Sequence, residues 1–143
     1  MGRIIGIDYG RKRTGIAVTD PLQIIAGGLG TVASGEVEKW LECYMSGETV
    51  ERIVVGYPAM LDGSESDMSV RYVQPFIKRL KKQFPDMPVD TPDERYTSKL
   101  ASRAMIEGGM KKKDRRNRAN MDKLSATILL QEYLEQSKIK IQK

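Results

Sequence analysis

The chain has 143 residues, with 24 Lys and Arg against 19 Asp and Glu, a net charge of +5 and a pI near 9.3. That length suits one domain around one core, and the basic balance favours polyanionic partners. Histidine is absent, which excludes Ser-His-Asp and Cys-His catalysis, HExxH metalloprotease chemistry and most zinc sites; any catalysis falls to carboxylates, hydroxyls, lysine or arginine.

The first elements are "RIIGID" (3–8) and "TGIAVT" (14–19), β-branched runs around a turn with Gly10 and three cations, the pattern of an antiparallel hairpin. Gly6 and Asp8 break the apolar stretch too early for a signal-peptide core or a membrane span, so a cytoplasmic protein with no membrane partner is expected. A third strand is expected over Ile24–Val32, with Gly27, Gly28 and Gly30 suggesting a bulge. Asp20, in "TDP", and Asp62, in "LDGS", read as turn residues. Val37, Trp40, Leu41, Tyr44 and Met45 then fall on one helical face. The lone Cys43, beside them, reads as a small buried hydrophobe and leaves no disulfide framework. "RIVVGYP" (52–58) has the near-continuous apolar character of a strand covered on both faces. Helical spacing returns at Val70, Val73, Ile77, Leu80 and Phe84, with Pro75 predicting a kink or a restart near Gln74. A short strand around 87–92 leads into "DERYTS", and a helix capped at Thr97 or Ser98 is expected to end at Gly108-Gly109. Residues 111–118, "KKKDRRNR", carry six cations and one acid and read as a mobile loop. The last helix is expected from about Arg118 to Gln136, leaving residues 138–143 as a basic tail behind a single α/β domain over 1–137.

Acids stand out on this basic chain. Asp8 ends the first strand, Asp93 and Glu94 follow the last, and Asp122 precedes Ala126 and Leu129 at i−4 and i−7 on the apolar face of the final helix. A carboxylate on an inward face needs a partner, either a Lys or Arg or a bound cation. If strand one is central, these acids can converge at one edge of the sheet. Such an all-oxygen set suits magnesium or manganese, and two ions about 3.5–4 Å apart can drive an in-line phosphodiester displacement. The turn Arg11-Lys12-Arg13 and the run at 111–118 would hold phosphates around that centre. Tyr9 and Tyr96 flank the acids and have two roles open, stacking on a base or packing.

"GIDYGRKRTGIAVTD" (6–20), "VGYP…LDGSES" (55–66), "DERYTS" (93–98) and "MDKLSATILLQEYL" (121–134) together resemble the YqgF family, also called RuvX, across nearly the whole chain. The resemblance implies a ribonuclease H-like α/β domain, a five-stranded mixed sheet with its first three strands antiparallel, flanked by about four helices. It implies a nuclease with Asp8, Glu94 and Asp122 as catalytic metal ligands for Mg2+ or Mn2+. Arg11, Lys12, Arg13, Arg95, Lys111, Lys112, Lys113, Arg115, Arg116 and Arg118 then become candidate nucleic-acid contacts. The expected partner is a ribosomal RNA precursor, trimmed at its 5′ end in the 16S region, or alternatively branched DNA cut as a Holliday junction, by a monomer or weak homodimer. A non-catalytic RNA-binding module for ribosome assembly is the reading from another class. A sugar-kinase or actin-like ATPase, which D-x-G followed by Thr-Gly also suggests, would need a second domain and a second phosphate motif that the sequence lacks.

Overall fold

The computed structural model describes residues 2–56, 69–91 and 118–141, with side chains described for 70–91 and 124–136 in the last two segments. Its centre is a five-stranded sheet of order β3-β2-β1-β4-β5, built from β1 (Arg3–Asp8), β2 (Arg13–Thr19), β3 (Ala26–Ala33), β4 (Val50–Val55) and β5 (Val89–Asp90). The first three strands form an antiparallel meander, with Asp8 opposite Gly15, whereas β4 runs parallel to β1 and β5 parallel to β4. β1 is therefore central, as expected.

Among the described residues three α-helices cover the sheet: α1 (Val37–Gly47), α2 (Gln74–Gln83) and α3 (Arg118–Ile141). The period-2 alternation of β1 divides the core. Ile5, Ile7 and Tyr9 join Leu41 of α1 and Phe76 and Leu80 of α2 in one layer. Ile4 joins Ala126, Leu129, Leu130 and Leu134 of α3 in the other. Both faces of β1 and β4 are thus covered, which explains their continuous apolar sequences.

Several boundaries differ from the sequence expectation. β3 begins at Ala26 because Asp20 captures the preceding backbone: its Oδ1 accepts from Ile24 N (2.8 Å) and Ile25 N (2.9 Å), and its Oδ2 from Leu22 N (3.2 Å). The glycine-rich stretch does bulge, since Ile16 opposes Gly30 and Ala17 opposes Gly28, leaving Leu29 unopposed. A π-helical turn over Ser69–Val73 precedes α2, which starts at Gln74 with Pro75 in its first turn, where a missing N–H costs nothing. α3 continues to Ile141, past its expected end near Gln136. Cys43 corrects another expectation: it is exposed, because position 43 falls off the Val37–Leu41–Tyr44 stripe. Asp62, the capped helix at 97–109 and the loop residues 111–117 lie outside the described residues, while Arg118 begins α3. Among the described residues no helix is long and apolar enough to cross a membrane.

The Ile25 N–H, the strongest influence, together with those of Ile24 and Leu22 holds the Asp20 carboxyl below the usual aspartate pKa. A carboxyl depressed in the folded state contributes stability that is present above its unfolded pKa and fades as pH falls through its folded one. Wild-type protein should accordingly lose more melting temperature on acidification through the carboxylate range than Asp20→Asn does. Parallel melting curves for the two would contradict this.

A candidate metal and nucleic-acid site at the end of the central strand

Of the three acids expected as ligands, Asp8 is the one whose side chain the structure describes. Asp8 is the last residue of β1, half-buried, with the strand paired on both sides: Ile7 opposes Ile16 of β2 and Val55 of β4. Gly56 N donates to Ile7 O at 3.0 Å, closing the β4 side as well. Alternation assigns Asp8 to the same sheet face as Ile4 and Gly6, the face that α3 covers.

Tyr9 faces the other way and is largely buried, so packing is its observed role. Its ring stacks on Phe76 with centroids 4.2 Å apart, and its hydroxyl accepts from Arg79 Nη2 at 3.2 Å. Arg79 Nε in turn donates to Glu38 Oε1 at 2.9 Å, linking β1, α1 and α2 directly behind Asp8. None of these supports was foreseen from sequence; a Phe and an Arg three residues apart on α2 were the available signal.

The turn after Asp8 is held by Ser34. Ser34 Oγ donates to Gly10 O (2.5 Å) and meets Thr14 Oγ1 (2.9 Å), while Ser34 N donates to Lys12 O (3.0 Å). A Cβ at Gly10 would stand 2.2 Å from Arg13 O, so only glycine permits this turn. Arg11, Lys12 and Arg13 are exposed on it, available to phosphates.

α3 runs antiparallel to β1. Leu134 lines a recess with Ile4, and Leu130 approaches Gly6 so closely that a Cβ there would be 3.0 Å from Leu130 Cβ and 3.4 Å from Ala126 O. Four residues of helix before Ala126 are about 6 Å of axis, and two residues beyond Gly6 are about 6.6 Å of strand. The first interval reaches the backbone of Asp122, the second reaches Asp8. α3 is fixed at its other end: Gln131 Oε1 accepts from Ala26 N (3.1 Å), and Tyr133 donates to Asp90, which also pairs with Arg52 Nη1 at 2.7 Å. Burial, followed by that bond to Asp90, pushes the Tyr133 hydroxyl pKa up. Asp90 thus ties β4, β5 and α3 together on this face.

β5 ends at Asp90, level with Val54 and hence with Gly6, and runs parallel to β1 toward the same end of the sheet. Glu94 and Arg95 lie outside the described residues, as do Lys111, Lys112, Lys113, Arg115 and Arg116; of Asp122 and Arg118 the helical backbone alone is described. Among the described residues no three acidic or cysteine side chains come together as a metal would require. The donor chemistry nevertheless suits a hard cation, because Asp8 offers oxygen, the sequence has no histidine, and Cys43 sits on α1, across the sheet from α3.

The sheet order and its helical layers define a ribonuclease H-like fold. Thermus thermophilus RuvC, solved in complex with a Holliday junction substrate, is similar over 96% of this chain and 97% of its own, with a TM-score of 0.57 and 15% identity. The fowlpox virus Holliday junction resolvase is similar over 94% and 99%, at TM-score 0.53 and 12% identity. The sequence matches the RuvX Holliday junction resolvase family over residues 2–136, and the chain belongs to that family. Relatives named "Putative pre-16S rRNA nuclease" include those of Phocaeicola vulgatus, 53% identical over 96% of this chain and 99% of that protein, and of Parabacteroides distasonis, 52% identical over 99% and 100%.

Proposed function

We propose that this protein is a divalent-metal-dependent nuclease that trims the 5′ end of the 16S ribosomal RNA precursor in the cytoplasm. The observation that carries the reading is Asp8 ending the central strand on the face of α3, with the N-terminal part of that antiparallel helix lying toward the same end of the sheet. Asp8, Glu94 and Asp122 hold the metal, Mg2+ or Mn2+, as a pair of ions. When bound, the ions supply an activated water and neutralise charge building on the scissile phosphate. Asp8 is held by a strand paired on both sides, which suits a ligand that must not move. Arg11, Lys12 and Arg13 grip phosphates beside the acids, and Arg95 and the cations of 111–118 extend the grip. The RNA substrate follows the names of the relatives, which match this chain over nearly its full length.

The direct test is a parallel cleavage assay on precursor rRNA and on a four-way DNA junction, with magnesium or manganese and Asp8→Asn as control. Metal-dependent cleavage of the RNA, absent in the variant, is expected. Cutting of the junction alone assigns the resolvase reading, and binding with no cleavage of either leaves an assembly module.

Neutralising Lys111, Lys112, Lys113, Arg115, Arg116 and Arg118 together should weaken RNA binding without changing the melting temperature. On single-stranded RNA each lost phosphate contact should lower the salt slope of log K by about 0.7. An unchanged slope would place the phosphate grip elsewhere.

A further inference from the structure

The sheet has an outer edge that the proposed nuclease site does not use. β3 ends the strand order, and the stretch from Pro21 to Gly35 contains no charged residue, in a chain that is 30% charged. Edge strands are ordinarily guarded by charge, Lys above all. Instead Leu29 (49%) is exposed on the strand, and Leu22 (62%), Ile24 (57%) and Ile25 (64%) are exposed in the Asp20-held turn that leads into it. Scattered exposed aliphatics need no explanation, but four within eight uncharged residues, three in the turn entering β3 and one on the strand, form a candidate contact. The bulge leaves Leu29 unopposed, and Leu29 also borders a recess of about 150 Å3 whose other walls are Ile16, Gly30, Thr31, Val32 and Trp40. Knob and socket stand side by side on the same edge, the requirement of a surface that is complementary to itself.

We propose that the β3 edge is a homodimer interface, in which Leu29 of each copy enters the Trp40-lined recess of the other. Charge favours a second copy over the alternatives. A nucleic acid finds no cation anywhere in 21–35, whereas two chains of net charge +5 can meet here without facing like charges. The strand ends also complement each other. Thr19, followed by Asp20, opposes Ala26, and Arg13 opposes Ala33, so a two-fold axis near Leu29 brings the Asp20 end of one copy to the partner's Lys12–Arg13 end, where Glu36 is outnumbered. The bulge interrupts the backbone ladder, so side chains rather than a continued sheet carry the contact.

Trp40 is the only tryptophan and lies at the socket, so it reports directly. Sedimentation velocity and tryptophan emission should be followed together on the full chain from low to high micromolar concentration. Wild-type protein should pass from monomer to dimer, with emission shifting to the blue over the same range. Leu29→Lys should raise the dimer dissociation constant roughly 30-fold or more, as for a central anchor, and abolish the shift. Both positions are exposed, so at low micromolar concentration, where the wild type is monomeric, Leu29→Lys and Ile25→Lys should match its melting temperature. A wild-type chain that stays monomeric throughout overturns the proposal and leaves the patch to a different protein. Dimers that survive both substitutions overturn it as well. The measurement involves no cleavage and stands or falls apart from the nuclease reading.

Discussion

Asp8→Asn should abolish metal-dependent cleavage while the melting temperature stays level or rises. The loss should reach on the order of a thousandfold, because a catalytic metal supplies several kcal/mol of transition-state stabilisation and each 1.36 kcal/mol is about tenfold in rate. The substitution keeps the shape of the side chain and removes one negative charge from a strand end already fixed by β2, β4 and the Gly56–Ile7 hydrogen bond. If other carboxylates share the site, removing one charge relieves repulsion and stability gains slightly, a common exchange at functional positions. An acid that merely capped the following turn would act in the opposite sense, with its loss costing about 1 kcal/mol and cleavage largely intact. Magnesium distinguishes the two further, since it should raise the wild-type melting temperature and leave the variant's unchanged. A destabilised but active Asp8→Asn protein would reduce Asp8 to a turn residue.

Much of this arrangement was legible in the sequence because it follows from periodicity. Alternation in "RIIGID" assigns Asp8 to the face of Ile4 and Gly6, and the stripe of Ala126, Leu129 and Leu130 identifies the helix that covers them. Pro75 marks the start of α2 correctly, because a proline is acceptable only in a first turn. Cys43 was misread by its neighbours in sequence rather than by its place on the wheel, where position 43 is off the buried stripe. The end of α3 was set too early because cations in a final turn suit a helix as well as a tail, and nothing from Ser137 to Ile141 breaks one. What could not be read is the set of ties made between distant elements. Asp90 meets Arg52, 38 residues away, and Tyr133, 43 residues away, so no local pattern announces that this acid is paired to a cation. The Arg79–Tyr9 contact, across 70 residues, was invisible for the same reason.

The height of α3 above the sheet is the remaining variable, and Gly6→Val should change it with a large effect on both stability and cleavage. A Cβ at position 6 would lie 3.0 Å from Leu130 Cβ, 3.3 Å from Leu130 Cδ2 and 3.4 Å from Ala126 O, and valine adds two methyl groups beyond it. The strand cannot retreat, because Gly6 is opposed by Ala17 on one side and Val54 on the other. The helix must lift instead, at a cost of about 1–3 kcal/mol for overpacking. Lifting α3 moves its Asp122-bearing turn relative to Asp8, and misplacing catalytic groups by about 1 Å can cost about a hundredfold in rate. Leu130→Ala is the matched control. It removes a fully buried side chain, costs about 2–5 kcal/mol through the cavity it leaves, and does not push the helix outward. Assayed well below both melting temperatures, Gly6→Val should therefore lose cleavage about a hundredfold while Leu130→Ala stays within a few-fold of wild type. Combining the two should restore part of the activity, because the space vacated at Leu130 admits the new methyls and the residues are in direct contact. If Gly6→Val costs stability but cleaves as well as Leu130→Ala, the spacing between β1 and α3 does not set the metal site, and Asp122 loses its assigned role.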